Sequence, residues 1–225
     1  MTPHPLNRPV WSSLSTCHAH RAHGDALARR IDPEVGLFIA SADRSPASLA
    51  AMAALIAPGD CVGMLETAPW PVAGGLDAMV VPLAQMVATE PATREPGFAY
   101  RRLTAADAPA MLALATSTAP GPFFARTHSL GTFYGVEDAG RIVAMAGMRL
   151  AVPGFTEISG VCTLPSHRGR GYAGGLMQRL ARDIVAQGDA CFLHVRAENA
   201  GAIALYEGLG FAVRAAVDYT IIRRD

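Results

Sequence analysis

Between a strand-like segment ending at Pro165 and a helical pattern opening at Gly171 lies the run Ser166-His167-Arg168-Gly169-Arg170-Gly171-Tyr172-Ala173. These residue types in this order make a site for an anion. The first N–H groups of a helix have no partners inside it, and the helix dipole adds partial positive charge at that end. Glycine lets the backbone approach a ligand closely, and Arg168 and Arg170 bring full charges. A pyrophosphate suits such a loop. The same residues satisfy a second pattern. Gly169, Gly171 and Gly174 fit the dinucleotide fingerprint GxGxxG, with Asp189 near where that fingerprint keeps its acidic residue. Context speaks against it: Asp189 precedes a strand instead of closing one, and too little chain follows the loop to build a dinucleotide fold from there. No GxxxxGKS/T run occurs, so a P-loop has nothing to rest on.

Other chemistry-bearing clusters are weaker. Cys17, His18, His20 and His23 lie close in sequence, but their spacing does not put the histidines on one helix face, and we expect no metal. The four cysteines, Cys17, Cys61, Cys162 and Cys191, are far apart and form no CxxC pair, which predicts reduced thiols and no disulfide framework. The 225 residues are 51% hydrophobic and 17% charged, a globular composition with enough chain for a real core. Lys+Arg and Asp+Glu both total 19. That balance argues against a nucleic-acid partner, which selects a basic excess, and favours a small molecule. The N-terminal stretch has no secretory pattern, and the apolar runs Leu49–Ala57 and Ile142–Met148 are too short to span a bilayer. No membrane partner and a cytoplasmic location are therefore expected.

The elements that must position the loop are clearest in the second half. Tyr100–Leu103 reads as a strand, and Thr104 caps a helix in a capping box with Asp107. Gly131–Glu137 and Arg141–Leu150 form a hairpin across Asp138-Ala139-Gly140. Thr156–Leu164 is a strand leading into the loop. In Gly171–Gln187, Leu176, Leu180 and Ile184 recur at helical spacing and Gly188 ends the helix. Cys191–Val195 is a strand, Asn199 caps a helix through Leu209, and Phe211–Ala215 and Tyr219–Arg223 close the chain as two strands. The first half is alanine-rich. It predicts a short helix at Asp25–Arg30, a strand at Gly36–Ser41, a helix from Ser45 or Ser48 to Ile56, and strands at Cys61–Glu66 and Leu76–Leu83. Thr89–Gly97, polar with two prolines, reads as a linker. The expected class is α/β: an α+β mixed sheet flanked by helices in residues 98–225, with a smaller α/β region in residues 1–97 that packs on it and shapes an acceptor site.

The run Arg168-Gly169-Arg170-Gly171-Tyr172-Ala173 resembles the Arg/Gln-x-x-Gly-x-Gly/Ala signature of the GNAT superfamily of acyl-CoA-dependent N-acetyltransferases. A second match strengthens it. Asn199, Ala202, Leu205, Tyr206, Gly210 and Phe211 fill the pattern Asn-x-x-Ala-x-x-Leu-Tyr-x-x-x-Gly-Phe that the family often carries on its next helix. The resemblance covers roughly residues 98–225. It implies acetyl-CoA as co-substrate and a primary amine as acceptor, attacked directly through a tetrahedral intermediate. The backbone of Arg168, Gly169, Arg170, Gly171, Tyr172 and Ala173 would bind the pyrophosphate, and Asn199 would help hold the cofactor. The strand Val161-Cys162-Thr163 would pair with the pantetheine arm, with the Val161 N–H donating to the thioester carbonyl. Tyr206 stands in the position of the proton donor to sulfur. Glu157 matches in spacing the glutamate base of members that acetylate histone lysines, and a carboxylate beside an apolar cleft would have its pKa raised. His194, on the next strand, is the reserve base. Phe123 and Phe124 lie where the family builds its acceptor pocket. Many members are dimers, which makes a homodimer an expectation. The rival class is an acyl-CoA sensor that keeps the loop and lacks turnover.

Overall fold

The computed structural model describes residues 4–225. In chain order the elements are α1 (Pro9–Ser15), β1 (Ala22–Gly24), β2 (Ala28–Ile31), β3 (Ile39–Ser41), α2 (Pro46–Ala54), β4 (Cys61–Glu66), β5 (Asp77–Ala88), β6 (Arg101–Leu103), α3 (Ala108–Thr118), β7 (Phe133–Asp138), β8 (Arg141–Val152), β9 (Phe155–Thr163), α4 (Tyr172–Ala186), β10 (Ala190–Arg196), α5 (Ala200–Gly208) and β11 (Ala212–Arg223). Strands β1-β2-β3 make a small antiparallel sheet. The other eight form one mixed sheet in the order β4-β11-β5-β10-β9-β8-β7-β6, with β9 and β10 parallel. The expected class, a mixed sheet flanked by helices, is the one the chain adopts.

Local chemistry explains most elements. Ser45 caps α2 by accepting the Ser48 N–H, and the Thr104–Asp107 capping box forms as read. The β7–β8 hairpin turns through Ala139 and Gly140, both at positive φ, as a tight right-twisted hairpin requires. Helix α4 presents Leu176, Met177, Leu180, Ala181 and Ile184 to the sheet, where they pack with β8 and β10 residues such as Ala144 and Leu193. On the opposite face, Leu6, Val10 and Leu14 pack with Phe192, Leu150 and Phe38. The sheet is thus covered on both sides, which fixes its central strands. Among the described residues, no helix is long and apolar enough to cross a membrane.

Three expectations need correction. The boundary at residue 97 does not divide the sheet: β4 and β5 come from before it, and β5 lies between β11 and β10. Strand β5 is long, and its Pro82 is tolerated because β10 stops pairing at Arg196↔Leu83, so the missing N–H falls where β5 is an edge. Asp25–Arg30 is not a helix. The Asp25 carboxylate accepts the N–H groups of Leu27 and Ala28, a local turn that competes with helix formation and delivers the chain into β2. The last two strands are one, β11, with a bulge between Val213 and Ala215. Thr89–Gly97 has no helix or strand, yet the stretch is docked on α4. Glu95 pairs with Arg182 and accepts from the Tyr100 hydroxyl, and the Phe98 ring lies edge-on to Tyr172 at 4.9 Å against the bare backbone of Gly175.

Candidate active site

Parallel pairing of β10 with β9 is confined to Ala190–Phe192 against Phe155–Glu157. Beyond that point the strands part, and β9 has no partner on its β10 side. On its other side β9 bulges: Ser159 pairs with Gly147 and Cys162 with Met145, so Gly160 (φ +61) and Val161 together face one residue of β8. Splay and bulge leave a cleft of about 420 Å³, running from Val161, Cys162 and Thr163 past the loop to Asn199 and Tyr206.

Gly169 (φ +78) and Gly171 (φ +77) both take the left-handed backbone conformation, and a Cβ on either would meet no atom within 4 Å. Space is not what demands glycine there. The curl of the backbone is, since it turns successive peptides toward one concavity at the start of α4. Gly171 is the N-cap, no side chain caps the helix, and no acidic residue lies in its first turn. Arg168 and Arg170 form no ion pair among the described residues; Arg170 points back to the Ser166 carbonyl at 3.5 Å and does not line the cleft, whereas Arg168, Gly169, Gly171, Tyr172 and Ala173 do. Thr163 Oγ1 is buried in the cleft wall without a hydrogen-bond partner. Free helix N–H groups, the Arg168 guanidinium and an orphaned hydroxyl form a donor set that fits the pyrophosphate and amides of an acyl-CoA. Cys162 is no nucleophile: burial pushes its thiol up to about 11.

A second cavity, about 330 Å³, meets the first at Pro120, Val161, Asn199 and Tyr206. Its far wall comes from the first half of the chain through Phe38, Leu65, Val81 and Leu83, with Tyr219 of β11. Pro120, Gly121 and Pro122 line it, but Phe123 and Phe124, expected there, do not. Phe123 stacks edge-on with Phe133 at 5.8 Å, and Phe124 packs against the hydrophobic cluster that includes Val35, Leu37 and Phe38. Tyr206 therefore stands where the two cavities join. Burial raises its pKa, so the hydroxyl keeps its proton at neutral pH.

Glu157 is not placed as the sequence reading expected. Its side chain is fully buried and locked: Arg149 donates through Nε to Oε2 and through Nη2 to Oε1, both at 2.8 Å, and His194 Nδ1 lies 2.8 Å from Oε1. Burial alone would raise its pKa, but the Arg149 charge and hydrogen bonds, with those of His194, outweigh it and hold the carboxyl at about 2. The expected upward shift does not occur, and a carboxylate so firmly ionised takes no proton from an amine at neutral pH.

His194 is fixed by the same network. Arg214 Nη1 donates to Gln85 Oε1 at 2.8 Å, and Gln85 Nε2 donates to the Leu6 carbonyl at 2.9 Å, which settles the amide orientation. Gln85 Nε2, 3.1 Å from His194 Nε2, is then a donor, so His194 Nε2 accepts and Nδ1–H donates to Glu157. A proton added at Nε2 would face the Gln85 N–H. Sequence reasoning missed Gln85 and Arg214; the one signal was a glutamine inside the apolar run Leu83–Ala88. In the N-terminal cluster, His18 bonds Ser13 Oγ at 2.9 Å in the interior, while His20 and His23 are not buried.

Comparison with known structures decides the family. A GNAT-family acetyltransferase structure from Novosphingobium aromaticivorans is 38% identical, covers 99% of each chain and superposes with a TM-score of 0.92. The chain belongs to the GNAT superfamily. A GCN5-related N-acetyltransferase from Kribbella flavida shares the GNAT fold over 96% of this chain and 94% of its own, with a TM-score of 0.65 at 18% identity. The FR47-like protein family matches residues 133–220, the segment of this GNAT chain that contains the loop, α4, β10 and Tyr206. Among curated proteins, none matches the chain.

Proposed function

We propose that the chain moves the acetyl group of acetyl-CoA to the primary amine of a small acceptor by direct attack, without a covalent enzyme intermediate. One observation carries this reading: a cleft suited to an anion and a separate cavity with an apolar wall meet at Val161, Asn199 and Tyr206. A sensor needs only the first; a transferase needs both, with a proton donor where they join.

Acetyl-CoA, when bound, supplies an acyl group activated as a thioester. The peptide N–H groups of residues 168–173 and the first turn of α4 hold the pyrophosphate. The unpaired edge of β9 at Val161–Thr163 accepts the pantetheine amides as an added strand would. The Val161 N–H donates to the thioester oxygen, where negative charge grows as the amine nitrogen attacks. The C–N bond forms first, giving a tetrahedral intermediate, and the C–S bond breaks as that intermediate collapses. Tyr206 O–H gives its proton to the departing sulfur, and the amine's remaining extra proton restores the tyrosine. No carboxylate lines the acceptor cavity, so an ammonium has no counter-ion there. The amine enters neutral, having left its first proton in solvent.

Free-thiol release from acetyl-CoA across a panel of primary amines tests the reading, with Tyr206→Phe alongside. Loss of a general acid lowers kcat about 10²-fold or more, with the Kd for acetyl-CoA nearly unchanged. Full kcat in Tyr206→Phe removes the assigned proton donor, and no thiol release from any amine removes the transferase reading.

A further inference from the structure

The acceptor cavity contains a half-used arginine. Arg149 spends Nε and Nη2 on Glu157, but its Nη1 makes no hydrogen bond among the described residues. The side chain is 16% exposed, and Arg149 is among the residues that line the cavity, with Val161 and Tyr206. Phe38 backs the guanidinium, its ring centroid 5.0 Å from Cζ, and holds it in place. A guanidinium fixed on one edge by a carboxylate and open on the other is a preformed fork for a second acceptor group.

Charge around the fork points the same way. Glu157, its only acidic neighbour in the network, is fully buried behind Arg149 and His194 and offers the cavity nothing. Arg214 adds a second positive charge, held by Gln85 Oε1 and Asn7 Oδ1 with no carboxylate partner. Two arginines against one glutamate leave the network one positive charge in surplus, with Glu157 and Arg149 in the interior and Arg214 half-buried. Arg196, at the mouth, has only a loose contact with Glu198 at 3.8 Å. Phe38, Leu65, Val81 and Leu83 make an apolar wall, which shares the cavity with the polar groups of His194, Asn199, Tyr206 and Tyr219. A simple alkylamine or polyamine would bring no anion to the open edge of Arg149.

We infer that the acceptor is an apolar α-amino acid, its carboxylate held by Arg149 Nη1, its side chain among Phe38, Leu65 and Leu83, and its amine directed to the junction at Val161 and Tyr206. This rests on the transferase reading and deepens it. The carboxylate neutralises the surplus charge, and the cationic surroundings disfavour the ammonium, so the form that binds is the form that attacks.

Calorimetric titration of the wild-type protein saturated with CoA tests this, using L-phenylalanine, L-leucine, L-phenylalaninamide and phenethylamine as probes. At least one acid binds ten-fold or more tighter than both the amide and the decarboxylated amine. The paired substitution Arg149→Met/Glu157→Met removes both buried charges together, so it does not strand either one, and it abolishes the preference. Equal or tighter binding of the amide or of phenethylamine overturns the inference, as does binding of neither acid. Titrating acetyl-CoA into the CoA-free protein separates the two readings: a protein that binds acetyl-CoA and acetylates phenethylamine but ignores the acids is a transferase with another acceptor.

Discussion

Gly171→Ala gives the sharpest quantitative test of the phosphate loop. Gly171 sits at φ +77 as the N-cap of α4, and an added Cβ would touch nothing within 4 Å. Sterics with neighbours therefore contribute nothing, and the whole cost is the left-handed backbone, about 1–2 kcal/mol for an L-residue. Because the loop is exposed, the ligand-free chain relaxes away from this conformation cheaply. The cost then appears when the ligand requires it, and Kd for acetyl-CoA rises about 5- to 30-fold. Gly188→Ala is the matched control: it too is left-handed (φ +87) with open space around it, but it lies at the far end of α4. Its cost falls on unfolding free energy and leaves Kd alone. Isothermal titration and thermal unfolding on both variants read the two quantities. Unchanged Kd in Gly171→Ala, or an equal loss of affinity in both variants, refutes the claim that the curled loop is the binding element.

Three further outcomes follow from the buried network and the junction. Glu157→Gln leaves Arg149 buried beside a neutral amide and destabilises the fold by about 3–5 kcal/mol near neutral pH. Since the folded carboxyl at about 2 lies below its ordinary value of 4.5, its contribution is full above 4.5 and fades as pH falls toward 2, so denaturant titrations of wild type and variant converge over that window; a constant gap contradicts the assignment. With no enzyme carboxylate or free histidine to take the amine's proton, the acid limb of kcat/KM follows the acceptor's own pKa and moves when acceptors of different basicity are compared. A limb fixed across acceptors points to an enzyme base instead. Gly175→Ala drives a methyl to 2.6 Å from the Phe98 ring, undocks the Thr89–Gly97 stretch from α4 and lowers the unfolding temperature; an unchanged temperature shows that this contact contributes nothing.

The candidate phosphate loop was legible because its chemistry is local: two glycines, two arginines and a helix start are contiguous, and α4 declares itself through Leu176, Leu180 and Ile184. Asn199 and Tyr206 were readable as a pattern on one short helix, and both line the junction. What the sequence concealed depends on pairing across long separations. Glu157 reads as a strand carboxylate beside a cleft; only the fold brings Arg149 and His194 onto it and reverses the direction of its shift. Gln85 and Arg214 complete that network from strands β5 and β11, far apart in the chain, and neither carries a motif. Strand β5 was recognisable as apolar, but its place between β11 and β10 was not, because strand order is set by sheet assembly and not by the strand's own residues. The acceptor cavity was hidden for the same reason: Phe38, Leu65 and Leu83 come from the half of the chain that matches no motif.

The most direct test of the account is calorimetric titration of acetyl-CoA into the wild-type protein and into the doubly substituted Arg168→Glu/Gly171→Glu variant. The account predicts a saturable isotherm for the wild type and none for the variant, which still unfolds cooperatively. Equal binding by both would place the pyrophosphate elsewhere, and no binding by a folded wild type would contradict the acyl-CoA assignment itself.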